Sequence, residues 1–437
     1  MSALSRFGRA IQNAKASLSG MARSLSISVL NQVISSGANF ALGLYLVRVL
    51  SPTEFGLYGI GFAIVLFYAG VGNALFLTQM VVHVPEKAPE ERLLYAARML
   101  AALLIFCVLT AMPALAILGV GKLVWPLLNE YVGSLVAVLA SCLAYLLKDF
   151  FVRHAYTARK EVWALIVNSA IAIVMLASLL VWHHGASDVS ATGALWIFAM
   201  SNLVGVLVGL LLVKLPLSLV TANKVILDWK EAWRGGVWAL GGGVVIWSQS
   251  QAYIYVTALI AGPAAVGMAN AAKLLITPAL FLVTAANQIL MPRLATLRVT
   301  NINKMFKTSE YVALAFILFA MMYTLFCAFW GGEILAIIVG NKYQDIAPLI
   351  LAWCLVLIFQ FSRAGTSVVL QVMKEFKRIM FDNLWSAVVA IICTVFLLKQ
   401  LGVQGAVLGA AIGELILSVL LYRAVLVHKR KAALSRT

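Results

Sequence analysis

Lys273, Arg363 and Glu414 each fall well inside long apolar stretches of the 437-residue chain. An ionised side chain at the centre of a bilayer costs about 3 kcal/mol even on a mild insertion scale, so each of the three predicts a partner or a function. Glu414 is the one deep acidic residue. It suits either a structural counter-ion for the two cations or a protonatable group that couples ion movement to transport. Arg48 and Arg98 lie nearer the ends of apolar stretches, where they either snorkel to an interface or join the same cationic set. Surplus Arg and Lys in a lumen attracts phosphate, Arg through bidentate hydrogen bonds and Lys as a point charge. Lys273, Arg363, Arg48 and Arg98 are therefore candidate phosphate ligands.

A second set is uncharged. Asn31, Ser35 and Asn39 recur at about one-turn spacing with Gln32 and Ser36 beside them, and Gln249, Gln251 and Tyr253 lie in and just after the run Trp247-Ser248-Gln249-Ser250-Gln251. Amides and hydroxyls facing lipid are costly, so both stripes are expected to line a cavity or to bind each other. Histidines His154, His183, His184 and His428 show no metal-ligand spacing, and no glycine-rich phosphate loop occurs. No metal and no cofactor is expected.

These residues need elements to hold them. The chain is 63% hydrophobic and 11% charged, with a mean hydropathy of +0.99, against about half and a quarter for a soluble domain. This predicts an all-α polytopic membrane protein. About 20 apolar residues cross a bilayer, and twelve candidate spans are read at 25–48, 55–84, 93–119, 131–152, 162–183, 190–213, 236–260, 264–291, 309–329, 346–372, 381–400 and 405–427. No alternating barrel-strand pattern appears. Residues 1–24 are basic, but the run that follows is too long and polar for a cleaved signal, so span 1 is read as retained. The five cysteines all lie in apolar stretches and read as small buried hydrophobes. No polar segment is long enough for a catalytic head or a nucleic-acid module. The longest connection on the less basic side, 330–345, shows no acid/base pair, so an enzyme is not expected.

Placing the N-terminus in the cytoplasm puts 26 of the 33 Lys/Arg on that side, with Lys122, Lys342 and Lys399 opposite. That asymmetry predicts both termini inside. Much of the net charge of +17 is therefore topological. The segment 214–235 mixes Leu, Val, Ile and Trp with Lys, Asp and Glu, and is expected to be a cytoplasmic amphipathic linker between lobes at 1–213 and 236–437.

The halves also repeat. Shifting the chain by 211 or 212 residues superposes Pro52-x-x-x-Gly56 on Pro263-x-x-x-Gly267, Asn129-x-Tyr131 on Asn341-x-Tyr343, and Gly193-Ala194 on Gly405-Ala406. Six spans per copy give parallel repeats that rock about a central site. Gly241-Gly242-Gly243, Pro113 and Pro278 are expected bend points, and Gly405-x-x-x-Gly409-x-x-x-Gly413 a close-packing face.

The segment RVLSPTEFGLYG at 48–59 resembles a signature of membrane flippases for polysaccharide precursors. GPAAVGMANAAKLLITPAL at 262–280, IIVGNKY at 337–343 and LGVQGAVLGAAIGE at 401–414 are similar to that family's later elements. Together they resemble the polysaccharide transporter, Wzx-type, branch of the multidrug/oligosaccharidyl-lipid/polysaccharide superfamily. The resemblance implies a V-shaped, MATE-like fold of two six-helix lobes. It also implies alternating access that moves an undecaprenyl-pyrophosphate-linked oligosaccharide across a bacterial cytoplasmic membrane, for O-antigen, exopolysaccharide or capsule. The cationic residues would then meet the pyrophosphate, and Asn31, Ser35, Asn39, Gln249, Gln251 and Tyr253 the sugar, while the polyprenyl tail stays in lipid. Glu414 would couple a proton or sodium ion. Polysaccharide polymerase machinery is an implied partner besides membrane lipid, and nucleic acid is not. A cation-coupled drug exporter shares the fold but calls for deep acidic residues, of which the first lobe has only Asp149 at a membrane edge. A membrane glycan polymerase is a further alternative that calls for a long outer loop.

Overall fold

The computed structural model describes residues 3–126, 129–185, 190–343 and 346–434, and every regular element among them is helical. In chain order these are α1 (Ala3–Val49), α2 (Pro52–Gly72), a π-helical turn (Asn73–Leu77), α3 (Thr78–His83), α4 (Pro89–Val124) and α5 (Asn129–Thr157). After them come α6 (Glu161–Gly185), α7 (Ala191–Leu212), α8 (Ala222–Thr300), α9 (Ile302–Val339), α10 (Ala347–Val372), α11 (Phe376–Leu401) and α12 (Val403–Leu434).

Among the described residues, ten helical stretches are long and apolar enough to cross a membrane. The polar stripe of α1 keeps it out of that set, and α8 counts once although it carries two expected spans. Gly262 divides α8, with φ 82° and ψ 173° in an otherwise helical run. Its freedom at positive φ and the missing N–H of Pro263 end one helix and start the next there. We call residues 222–261 α8a and residues 263–300 α8b. With α1 and both halves of α8 the twelve expected spans are present, six to a lobe. The break falls in the gap expected between the spans 236–260 and 264–291, while helical torsions continue through the expected bend points Gly241–Gly243 and Pro278, and Pro113 lies inside α4.

Local chemistry sets several ends. Ser51 accepts a hydrogen bond from Glu54 N at 3.2 Å with Pro52 at the first position of α2, and Ser190 caps α7 through Gly193 N at 3.2 Å. The α5–α6 and α10–α11 turns are built alike. Arg159 and Lys374 take positive φ, and Lys160 N and Glu375 N reach back to Ala155 O and Leu370 O. The shared construction extends the repeat beyond the three sequence marks.

The two repeated Pro-x-x-x-Gly marks pack directly against each other. A Cβ on Gly56 would lie 1.7 Å from Pro263 O, and one on Gly267 would lie 2.0 Å from Pro52 O. Only glycine lets α2 and α8b cross this closely. Beside the crossing, Lys342 Nζ donates to the carbonyls of Arg48, Val49 and Leu50 at 2.5, 3.3 and 3.4 Å, capping the last turn of α1. The end of the molecule opposite the basic connections is thus closed between the lobes.

At the basic end, α8a begins within the segment expected to be a surface linker. Val225 and Ala232 are buried in a cluster with α4 and α5 residues. Gly236 sits on the π turn, its Cβ position 3.1 Å from Leu75 Cα. Elsewhere Gly405, Gly409 and Gly413 press α12 onto α11 as expected, with Cβ positions 2.0 to 2.5 Å from α11 atoms. Cys107, Cys142, Cys327 and Cys354 are buried thiols and Cys393 is half-buried.

Candidate functional site

Two adjoining cavities organise the functional residues. The central cavity, of about 340 Å3, lies between the lobes against α1, α2, α8a and α8b. Its polar lining is Ser36, Asn39, Gln251, Asn270, Lys273 and Thr277, and aromatic and aliphatic side chains form the rest. Among the described residues, Lys273 is the one charged residue lining it. A second pocket of about 200 Å3 is enclosed by α8a, α8b, α10 and α12, with Gln249, Gln251, Tyr253, Lys273, Gln360 and Glu414 among its walls. Lys273 and Gln251 face both spaces.

Lys273 is held by one hydrogen bond and two aromatic rings. Its Nζ donates to Tyr253 Oη at 3.3 Å, and Tyr253 donates in turn to Asn270 Oδ1 at 3.1 Å. The ammonium lies 5.3 Å from the Tyr253 ring centroid and 5.0 Å from that of Trp353, a separation at which aromatic faces attract cations. Trp353 is fixed by its own Nε1 donating to Ala269 O at 2.8 Å.

Glu414 is 2% exposed and both its oxygens are engaged. Arg363 Nε donates to Oε2 at 2.7 Å, while Arg363 Nη2 and Gln360 Nε2 donate to Oε1 at 3.4 and 2.9 Å. Of the two counter-ion pairings open to Glu414 in the sequence, the direct one is with Arg363. Lys273 shares its pocket without bonding to it.

The remaining candidates separate. Arg48 is exposed at the closed end, where its carbonyl serves Lys342, and it does not line either cavity. Arg98 is 6% exposed and pairs with Asp228 at 2.5 Å, again away from both cavities. Burial pushes the Asp228 carboxyl above its ordinary range, with Arg98 pulling the other way. Arg98 thus serves to fasten α8a to α4, with Lys87 and Glu231 adding a 3.6 Å pair nearby.

The α1 stripe also divides. Asn31 donates to Tyr156 Oη at 2.7 Å and accepts from Asn168 at 2.8 Å, inside the first lobe. Ser35 and Asn39 line a small first-lobe space with Lys148, Asn168 and Asn202, and Asn39 also reaches the central cavity. Each four-residue step turns a helix by about 40° past one full turn, so a stripe at this spacing winds off a single face.

Lys148, Asn270, Trp353 and Gln360 escaped the sequence reading. The repeat would have found two of them. A shift of 212 residues places Asn39 on Gln251, Lys148 on Gln360, Phe198 on Ala410 and Asn202 on Glu414, and these are corresponding walls of the first-lobe space and the second-lobe pocket. The former has room for about one water, near 10 Å3. Phe198 fills what Ala410 leaves open. No cluster of three or more His, Cys, Asp or Glu suited to a metal occurs among the described residues.

A family model described as "Polysaccharide biosynthesis protein" matches residues 21–298. No curated protein matches the chain. Among solved structures, an inward-facing multidrug resistance MATE family transporter of the MOP superfamily is 12% identical, with TM-score 0.71 over 93% of this chain and 96% of that one. The lipid II flippase MurJ in an inward closed conformation is 13% identical, with TM-score 0.71 over 91% and 87%. An outward-facing MATE family transporter is 14% identical, with TM-score 0.62 over 96% of each chain. At these identities the likeness is one of fold, and the fold is the MATE-like pair of six-helix lobes.

Proposed function

The chain belongs to the polysaccharide biosynthesis protein family, and from that premise we propose that it is a flippase. Its cargo is an undecaprenyl-pyrophosphate-linked oligosaccharide, carried by alternating access across a bacterial cytoplasmic membrane to build O-antigen, exopolysaccharide or capsule. Both termini and the basic connections lie in the cytoplasm, and the lobes divide at the 214–235 segment. The observation that carries this reading is Lys273, the one charge among the described residues that line the central cavity. Among the described residues no carboxylate lines that cavity, and a cation there attracts a pyrophosphate and repels a cationic drug. Arg363 adds a second cation, held in reserve by Glu414.

In this reading the Pro52–Gly56 and Pro263–Gly267 crossing is the closed periplasmic gate, and transport requires it to part. Glu414 is the coupling residue, since protonating it would free Arg363 for the cargo. The proton or sodium gradient supplies the energy, and polymerase machinery takes the delivered unit.

A leaflet assay of lipid-linked oligosaccharide in cells depleted of the protein tests this. Accumulation on the cytoplasmic face with loss of surface polymer is the expected result. Normal polymer with altered sensitivity to cationic dyes would assign the chain to drug export instead.

A further inference from the structure

Resting on that reading of the cargo, we infer that the chain holds two chemically distinct subsites in line. The central cavity takes the isoprenoid units next to the pyrophosphate, the second-lobe pocket takes the sugar joined to it, and Lys273 holds the pyrophosphate where the two spaces meet. The polyprenyl chain is therefore bound by protein over its first units and enters lipid only beyond them.

The linings differ as such a cargo requires. Phe40, Phe55, Phe62, Leu66, Leu274 and Phe281 make the central cavity largely apolar and aromatic. Apolar surface of this kind gains free energy by covering hydrocarbon, and it makes up most of the wall around the polar side chains Ser36, Asn39, Asn270 and Thr277. The second-lobe pocket is the more polar of the two, with three glutamine side chains, of which Gln251 also lines the central cavity, and two aromatic walls, Tyr253 and Trp353, among aliphatic ones. Gln249 is 6% exposed, and its Nε2 has no hydrogen-bond partner among the described residues. A buried donor left unpaired is costly, so this one calls for an acceptor from a ligand, and a sugar oxygen in the pocket provides it.

Lys273 fixes the order. It lines both spaces, and its bond to Tyr253 leaves two of its three protons for phosphate oxygens. Glu414 lines the sugar pocket, but Arg363 and Gln360 occupy both its oxygens, so its charge is countered where the phosphate approaches. A cargo with tail, phosphate and sugar joined in that order matches apolar cavity, ammonium and polar pocket in the same order.

The test measures binding of two probes to the full chain in detergent micelles, farnesyl pyrophosphate and farnesyl-pyrophosphoryl-glucose. Gln249→Leu is expected to weaken the glucose-bearing probe about fivefold and to leave farnesyl pyrophosphate unchanged. Phe281→Ala is expected to weaken both probes by one common factor, and Lys273→Met to weaken both about tenfold or more. Gln249→Asn, which keeps an amide, repeats the selective loss in milder form, and thermal melting of each variant separates lost binding from lost fold. Equal response of both probes to Gln249→Leu, or none, overturns the division into subsites while leaving the flippase reading in place. Wild-type protein that binds neither probe overturns the flippase reading, and this inference with it.

Discussion

Replacing Gly267 or Gly56 by alanine should open the end of the molecule opposite the basic connections. The added methyl on Gly56 would sit 1.7 Å from Pro263 O, whereas a carbon and a carbonyl oxygen approach to about 3.3 Å at closest. The helices must therefore separate by about 1.6 Å at the crossing. Backbone stands on both sides of the contact, so no side chain can rotate away to absorb the change. Overpacking of this kind costs about 1–3 kcal/mol. Charged to the closed state alone, that shifts the ratio of open to closed molecules by about 5- to 150-fold. Spin labels at Thr53→Cys and Ala261→Cys, both exposed positions, would report the separation by pulsed electron resonance. A longer-distance population should grow in Gly267→Ala. Gly37→Ala, where an added Cβ meets nothing within 4 Å, should leave the distribution as it was. A parental distance distribution in Gly56→Ala and Gly267→Ala, with the proteins folded, would refute the claim that this contact holds the end closed.

Four further outcomes follow from the site and its supports. Lys273→Ala and Arg363→Ala should each abolish polymer export with the protein still present in the membrane, while Arg363→Lys retains partial export; export at parental levels in both alanine variants would remove the cations from the mechanism. Glu414→Gln leaves Arg363 without its counter-charge and should lower unfolding free energy by about 3 kcal/mol, read by chemical denaturation, with transport losing its pH dependence if Glu414 couples protons. Arg98→Ala should cost a similar amount of stability by stranding Asp228, yet leave binding of farnesyl pyrophosphate unchanged. Lys342→Ala uncaps α1 and should shift the spin-label distances as Gly267→Ala does, by a smaller step of about 1 kcal/mol.

Much of the architecture was legible because it follows from solvent chemistry. A span must be apolar along its length whatever it packs against, so hydropathy locates it without knowledge of neighbours. The repeat was legible for a related reason, since its marks are helix caps and close-contact glycines whose types are fixed by backbone geometry. The break in α8 at Gly262 falls in the gap between the expected spans 236–260 and 264–291, where glycine takes positive φ and the following proline starts a new helix.

The site was legible only in part. Lys273, Gln251 and Tyr253 were evident as polar residues in apolar surroundings, and the structure brings them to one wall. Arg98 and Arg363 have the same sequence signature, but one fastens α8a to α4 and the other stands against Glu414 beside the pocket. Lys148 reads as a residue of a basic connection, and its burial at 5% exposure depends on how α5 packs beside α1 and α7.

The sequence by itself determined that the chain is helical, crosses a membrane many times, is duplicated and carries a small set of charges it cannot leave in lipid. Tertiary structure alone decided which of those charges are spent on each other and which remain free to meet a ligand. The reason is physical: transfer from water to hydrocarbon is a property of each residue and adds along the chain, whereas pairing depends on distances of a few ångströms between helices far apart in sequence, and only packing sets those.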